Sequence, residues 1–147
     1  MPEPGTVSMS PSEIQQFLGP SGFGVLSLAV GDDPYAVPVS YAFDADLSEF
    51  LLRLGHLDDS EKDKFLDDAT PARLVVYDGE QPESVICDGT LRRLDKEALT
   101  PHQIHVLGNG ETPAFDLWEP DVEDLDVSIH CLENTELTGK KPSRSQA

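Results

Sequence analysis

The chain is short of cations. Five Lys and five Arg stand against 16 Asp and 12 Glu, giving a formal net charge of −18 over 147 residues and a pI near 4.2. A nucleic-acid groove and an anionic membrane surface both require clustered positive charge, so the composition argues against either partner. Long apolar runs are missing too. None approaches the ~20 residues that span a bilayer, and the N-terminus MPEPGTVSMSPSE lacks a basic-then-apolar leader pattern. Cysteine is scarce. Cys87 and Cys131 have no C-x-x-C spacing and indicate neither a zinc site nor a disulfide scaffold. Both lie in apolar strand-like runs, where free cysteine behaves as a small buried hydrophobe. There is no G-x-S-x-G, no P-loop and no Rossmann fingerprint, since Gly22-Phe23-Gly24 precedes a strand rather than a helix. The expectation is a soluble cytoplasmic domain.

What is present is β-type sequence. FGVLSLAV, ARLVVYD and SVICDG are dense apolar runs that a disordered chain of this charge would lack. The length suits one domain with a real core. An acidic, lysine-poor composition with modest hydrophobicity fits a salt-accumulating cytoplasm, where molar salt shortens the Debye length to ~3 Å and screens self-repulsion. The plainer alternative is an ordinary acidic protein with a surface for basic partners.

Ser10-Pro11-Ser12-Glu13 is a capping box with proline at the first helical position; it opens a helix carrying Ile14, Phe17 and Leu18, which Gly19-Pro20 stops. Strands are expected at 23–30 and 35–43, joined by Gly31-Asp32-Asp33-Pro34, then at 48–55 after the turn Asp44-Ala45-Asp46. A short helix fills Lys62 to Ala69, capped by Asp59 or Ser60 and ended by Thr70-Pro71. Strands follow at 72–78 and 84–94. A second capping box, Thr100-Pro101-His102-Gln103, starts a helix closed by Gly108-Asn109-Gly110. An acidic loop with Trp118 leads to a last strand, 126–133. A single domain is expected over 1–138, with 139–147 a mobile polar tail. Six strands that follow one another across turns indicate a mainly β small barrel with short helices.

The strand 35–43 is the most informative. Tyr35, Val37, Val39, Tyr41 and Phe43 alternate onto one large apolar face, and Ala36, Pro38, Ser40 and Ala42 form a small face opposite. A face of small residues lets a partner subunit or a flat ligand approach the backbone; equally, it can pack beneath a helix. Pro38 cannot donate to a ladder and implies an edge or irregularity. In the next strand Phe50, Leu52 and Leu54 face one way, and Leu51, Arg53 and Gly55 the other. Arg53 is thus a cation within an apolar strand and should have an anionic partner, whether a ligand or a structural carboxylate. Ser60-Glu61-Lys62 at a helix start combines unpaired N–H groups, a hydroxyl and an ammonium, the parts of a phosphate cradle. Lys62 can equally pair with Asp58 on the surface. His102-x-x-His105 has spacing compatible with a metal, but no further ligands are designated, and a partly exposed helix surface is the plainer reading.

The order of these segments resembles a known family. A short helix precedes G-x-x-x-L-S-L-A, then come Y-A-x-P-V-S-Y, a strand ending R-L-G, S-x-K at a helix start, A-R-L-V-V-Y-D, and S-V-x-x-x-G-x-L-R. This is similar to the pyridoxamine 5′-phosphate oxidase-like FMN-binding split-barrel family, in particular its small acidic archaeal members. The resemblance covers about residues 10–94. It implies a six-stranded split β-barrel and a homodimer with FMN at the interface. It further implies that Pro38-Val39-Ser40-Tyr41 runs along the isoalloxazine ring with its backbone at the polar edge. Arg53-Leu54-Gly55, with Ser60 and Lys62, would hold the phosphate, and Trp118 of the partner subunit would lie near the flavin. Glu61 beside Lys62 departs from the family pattern and lowers the expected affinity for a dianion. The C-terminal half offers only Arg92, Arg93, His102, His105 and His130, without the spacing of a vitamin B6 substrate grip, so that reaction is not expected. No side chain stands out as a general acid or base. The implied function is a flavin-dependent oxidoreductase of unknown substrate; the alternatives are a flavin carrier or stress-related binding protein, and a dimeric interaction domain without cofactor.

Overall fold

A computed structural model describes residues 6–56, 69–108 and 126–143. The elements are β1 (Thr6–Ser8), α1 (Pro11–Leu18), β2 (Ser21–Val30), β3 (Asp33–Asp44), β4 (Glu49–His56), β5 (Thr70–Asp78), β6 (Glu83–Leu94), α2 (Pro101–Gly108) and β7 (Asp126–Pro142). All pairings are antiparallel. The order is β1-β7-β4-β3-β2-β5-β6, and a further β6–β7 pairing closes β2 to β7 into a six-stranded barrel, as the sequence suggested. β1 is an extra strand on the edge of β7.

Local chemistry accounts for the elements. Ser10 Oγ accepts from the Glu13 amide while Glu13 returns a bond to the Ser10 amide, so the first capping box forms as expected. The second box forms likewise between Thr100 and Gln103. β2 and β3 join through Gly31 and Asp32, with Gly31 at φ +60, a conformation that two-residue hairpins require at their first central position. Asp44 Oδ1 accepts from the amides of Asp46 and Leu47, which shapes the turn into β4. Residues 62–68 of the expected helix over Lys62 to Ala69 lie outside the described residues; Ala69 is not helical, and Thr70-Pro71, expected to end the helix, begins β5.

The barrel interior holds Leu26, Leu28, Val39, Phe43, Phe50, Leu52, Leu74, Val85 and Leu132, to which α1 adds Ile14 and Leu18. Tyr41 Oη donates to the Leu18 carbonyl at 2.8 Å and ties α1 to β3. The ring lies against Gly22, where an added Cβ would stand 2.7 Å from that oxygen. Phe50 packs edge-on to Tyr41 at 5.6 Å and against Phe43 at 4.7 Å. A second cluster lies outside the barrel, where Val106 and Leu107 of α2 cover Ala42, Leu51, Ile129 and Cys131. Both cysteines are free and buried.

One boundary is corrected. β7 does not stop at 133; it runs to Pro142, so Gly139–Pro142 is strand and not tail. This stretch pairs with β6 (Val85↔Gly139, Ser84↔Lys140) and with all of β1 (Val7↔Lys141). Lys141 also bonds the second oxygen of Glu13, holding that carboxyl below its ordinary value. Polar residues suffice here because the ladder hydrogen bonds come from the backbone.

Candidate functional site

The barrel is split between β3 and β4. Their ladder runs from Asp44↔Glu49 to Ser40↔Arg53 and ends there. Beyond that rung β3 continues from Val39 back to Asp33 along β2. β4 continues through Leu54, Gly55 and His56 along β7, opposite Ser128, Val127 and Asp126. The two strands therefore part at Ser40 and Arg53. Pro38 lies just past the divergence, on the open edge of β3, where its missing N–H disrupts no described rung toward β4.

The small face divides at the same place. Ala36 and Pro38 are exposed, whereas Ser40 and Ala42 are buried. Ala42 lies beneath α2, so the helix-packing alternative holds for that half alone. Val39 and Tyr41 point into the barrel and offer the split only their backbone. Ser40 points outward, and its Oγ has no hydrogen-bond partner among the described residues.

Arg53 faces outward and is half-buried. Its guanidinium donates to the Leu107 carbonyl at 3.1 Å, in the last turn of α2, where a cation meets the negative end of the helix dipole. The other end of α2 is held by His102, whose Nε2 lies 2.6 Å from Asp44 Oδ2. That pair escapes sequence reasoning because 58 residues separate its members and no motif links them. His105 is exposed, and His102 is committed to Asp44, so the two imidazoles do not act as a pair.

Elsewhere, Glu49, Cys131 and Glu133 bring one ligand atom each within 4.8 Å of one another. The contacts explain the group without a metal. The Cys131 thiol donates to Glu49 at 3.6 Å, and Arg92 bonds both oxygens of Glu133. Burial, with these carboxylates, pushes that thiol up to about 12. Arg73 is likewise paired with Asp88 on the surface. Such solvent-screened pairs add little to stability, yet they occupy cations of which the chain has few.

Of the residues expected to form a site, the fold brings together Pro38, Val39, Ser40, Tyr41 and Arg53 at the split, with the backbone of Leu54 and Gly55 running past it. Ser60, Lys62 and Trp118 lie outside the described residues. The helix α2 beside the split was not foreseen as part of it.

A closed antiparallel barrel that opens between two strands, with a small-residue edge and a half-buried arginine at the opening, defines a split-barrel protein. Residues 10–141 match the family described as pyridoxamine 5′-phosphate oxidase, and the chain belongs to that family. Solved structures share the fold. A conserved protein of unknown function from Corynebacterium diphtheriae aligns with TM-score 0.68 at 18% identity, over 93% of this chain and 98% of that one. An FAD-binding protein from Mesorhizobium loti gives TM-score 0.62 at 20% identity, over 95% and 98%. An FAD-binding protein from Mycobacterium smegmatis gives 0.55 at 18%, over 92% and 98%. No curated protein matches the chain.

Proposed function

We propose that the chain is a flavin-binding protein that holds FMN where β3 and β4 part, and that it works as a flavin-dependent oxidoreductase. The observation that carries this reading is the last β3–β4 rung. There a buried hydroxyl without a described partner, Ser40, stands opposite a half-buried guanidinium, Arg53, beside an open strand edge. These groups fit a flat ligand with a polar rim and an anionic tail. The family membership and the flavin-binding relatives of like fold support it.

In this reading the backbone of Pro38–Tyr41 lies along the ring, and Arg53 with the start of Leu54-Gly55 serves the phosphate. Ser60, Lys62 and Trp118 enter on the sequence resemblance alone. A bound flavin supplies the hydride or electron transfer, while the chain orients the ring, bonds its polar edge and limits water.

The reading includes a homodimer. On the outer face of the barrel, Pro38, Val25, Val75 and Ile86 stand in register across four strands. Phe23 and Tyr77, 49% and 69% exposed, lie on the same face two residues along β2 and β5 from Val25 and Val75, and widen the row on one side. An apolar row of this extent suits a contact surface. A second copy is its occupant here because Pro38 belongs to both the row and the split, so a partner chain would also cover the ligand.

Purified chain mixed with FMN in molar KCl is expected to quench the flavin fluorescence. Anaerobic addition of a nicotinamide cofactor then separates enzyme from carrier, since bleaching of the bound flavin is expected only of the enzyme. Salt is expected to matter for folding as well. With a net charge of −18, Tm should rise from dilute buffer to molar KCl. A gain of only 1 kcal/mol moves Tm by about 2–4 °C at this size, so equal melting in both buffers would refute the salt adaptation.

A further inference from the structure

The helix α2 lies on the outward face of the β3–β4 ladder and is tied to it at both ends. At the closed end, on the Asp44↔Glu49 rung, His102 Nε2 stands 2.6 Å from Asp44 Oδ2. A carboxylate only accepts, so the imidazole donates. At the open end, on the Ser40↔Arg53 rung, the Arg53 guanidinium donates to the Leu107 carbonyl at 3.1 Å. Between the two ties, Val106 and Leu107 pack with Ala42 and Leu51, the outward pair of the middle rung. The end rungs lie four strand residues apart, ~13 Å at ~3.3 Å each. His102 and Leu107 lie five helical residues apart, ~7.5 Å at ~1.5 Å each. The helix is shorter than the ladder it covers, so it meets the two ends through the imidazole and the guanidinium. Asp44 is the fixed anchor. It is buried, and its other oxygen accepts from the Asp46 and Leu47 amides. Arg53 is the adjustable end. A guanidinium holds five donors in one plane, and a bond through one nitrogen sets the direction of the rest.

Resting on the flavin reading of this split, we infer that α2 is a brace through which His102 and Asp44, at the far end of the ladder, orient the Arg53 guanidinium for the flavin's anionic tail. His102 and Asp44 are positioning residues and touch no ligand. The element with two states is α2, docked or lifted. The His102–Asp44 bond favours the docked state, and so does a flavin that needs the oriented guanidinium. Coupling of this kind is reciprocal, so flavin binding must also hold α2 down.

His102→Ala removes the remote tie, and a double-mutant cycle with Arg53→Met shows whether the effect travels through Arg53. In the natural background His102→Ala is expected to raise the FMN dissociation constant about three- to tenfold, read by fluorescence quenching in molar KCl. In the Arg53→Met background the same substitution is expected to leave that constant unchanged. His102→Gln presents an amide N–H to Asp44 and is expected to restore most of the affinity. A second measurement needs no change at His102. FMN is expected to slow hydrogen exchange of the Ile104 to Leu107 amides in the natural chain, and not in Arg53→Met at saturating FMN. Quenching by the natural chain with an unchanged constant in His102→Ala would overturn the inference while leaving the flavin reading standing. An equal rise in both backgrounds would overturn it by routing the effect around Arg53. No recovery in His102→Gln would overturn it by assigning the loss to packing. Exchange in α2 that ignores FMN would overturn it even if His102→Ala failed to fold. Failure of the natural chain itself to quench FMN would remove the flavin reading, and the inference with it.

Discussion

Between about pH 9 and pH 12 the folded chain is expected to lose several kcal/mol of stability. Three buried groups set this window. Burial pushes the thiols of Cys87 and Cys131 up from an ordinary 9.0 to about 12, and the nearby Asp88, and Glu49 with Glu133, add to the respective shifts. Burial likewise pushes the Tyr41 phenol up from 10.0 to about 12, with Cys87 adding a smaller share. All three pKa values are raised in the fold, so the unfolded chain releases its protons first. Their contribution to stability is therefore fully present below pH 9 for the thiols and below pH 10 for Tyr41. It is lost as pH rises toward 12. Each pH unit of difference is about 1.4 kcal/mol per group. Two thiols and a phenol acting together can consume much of the ~5–15 kcal/mol that holds a domain folded. Urea midpoints measured from pH 8 to 11 should fall steadily, and Cys87→Ala or Cys131→Ala should flatten the slope. A flat profile in the natural chain would contradict the buried, protonated state of these residues. The same burial predicts that neither thiol reacts with a thiol reagent at pH 8 before unfolding.

Arg53→Met is expected to raise the FMN dissociation constant about 10- to 100-fold, the worth of one charge-assisted contact of ~1.5–3 kcal/mol. The magnitude reflects context. The chain carries ten Lys and Arg in all, and Arg73, Arg92 and Lys141 are committed to carboxylates on the surface. An anion approaching a molecule of net charge −18 meets a repulsive field, which makes a half-buried cation at the site count for more. Methionine keeps much of the stem volume, so the core on that side is preserved. The variant also loses the bond to the Leu107 carbonyl, at a stability cost of about 1 kcal/mol. Arg53→Lys tests the same point from the other side. It keeps the charge but loses the planar fork, and an intermediate affinity is expected. An FMN affinity equal to that of the natural chain in Arg53→Met would reduce Arg53 to a fastening for α2.

The parts of the fold that carry a strong local signal were readable from the chain. The alternation of Val39, Tyr41 and Phe43 against Ser40 and Ala42 placed each side chain on the correct face, because a strand with one buried face admits one register. Both capping boxes formed because their partners are three residues apart. β1 and the far half of β7 are not legible in the chain because backbone ladders hold them, with Thr6, Val7 and Ser8 all exposed and Leu137 too isolated to mark an apolar period. At the site, Pro38 marked the edge and Arg53 the unusual charge. What the chain did not reveal was long-range. The end of the β3–β4 ladder at Ser40, the docking of α2 through Arg53 and the His102–Asp44 contact depend on residues brought together only by closing the barrel.

A flavin held at the split between β3 and β4 would be visible in solution. Titration of FMN with the natural chain in molar KCl, followed by flavin fluorescence and by the mass of the complex, tests it most directly. Saturable quenching at one FMN per chain is expected, on a species of twice the chain mass and weakened by Arg53→Met. Fluorescence that stays at the level of free FMN, at protein concentrations well above micromolar, would contradict it.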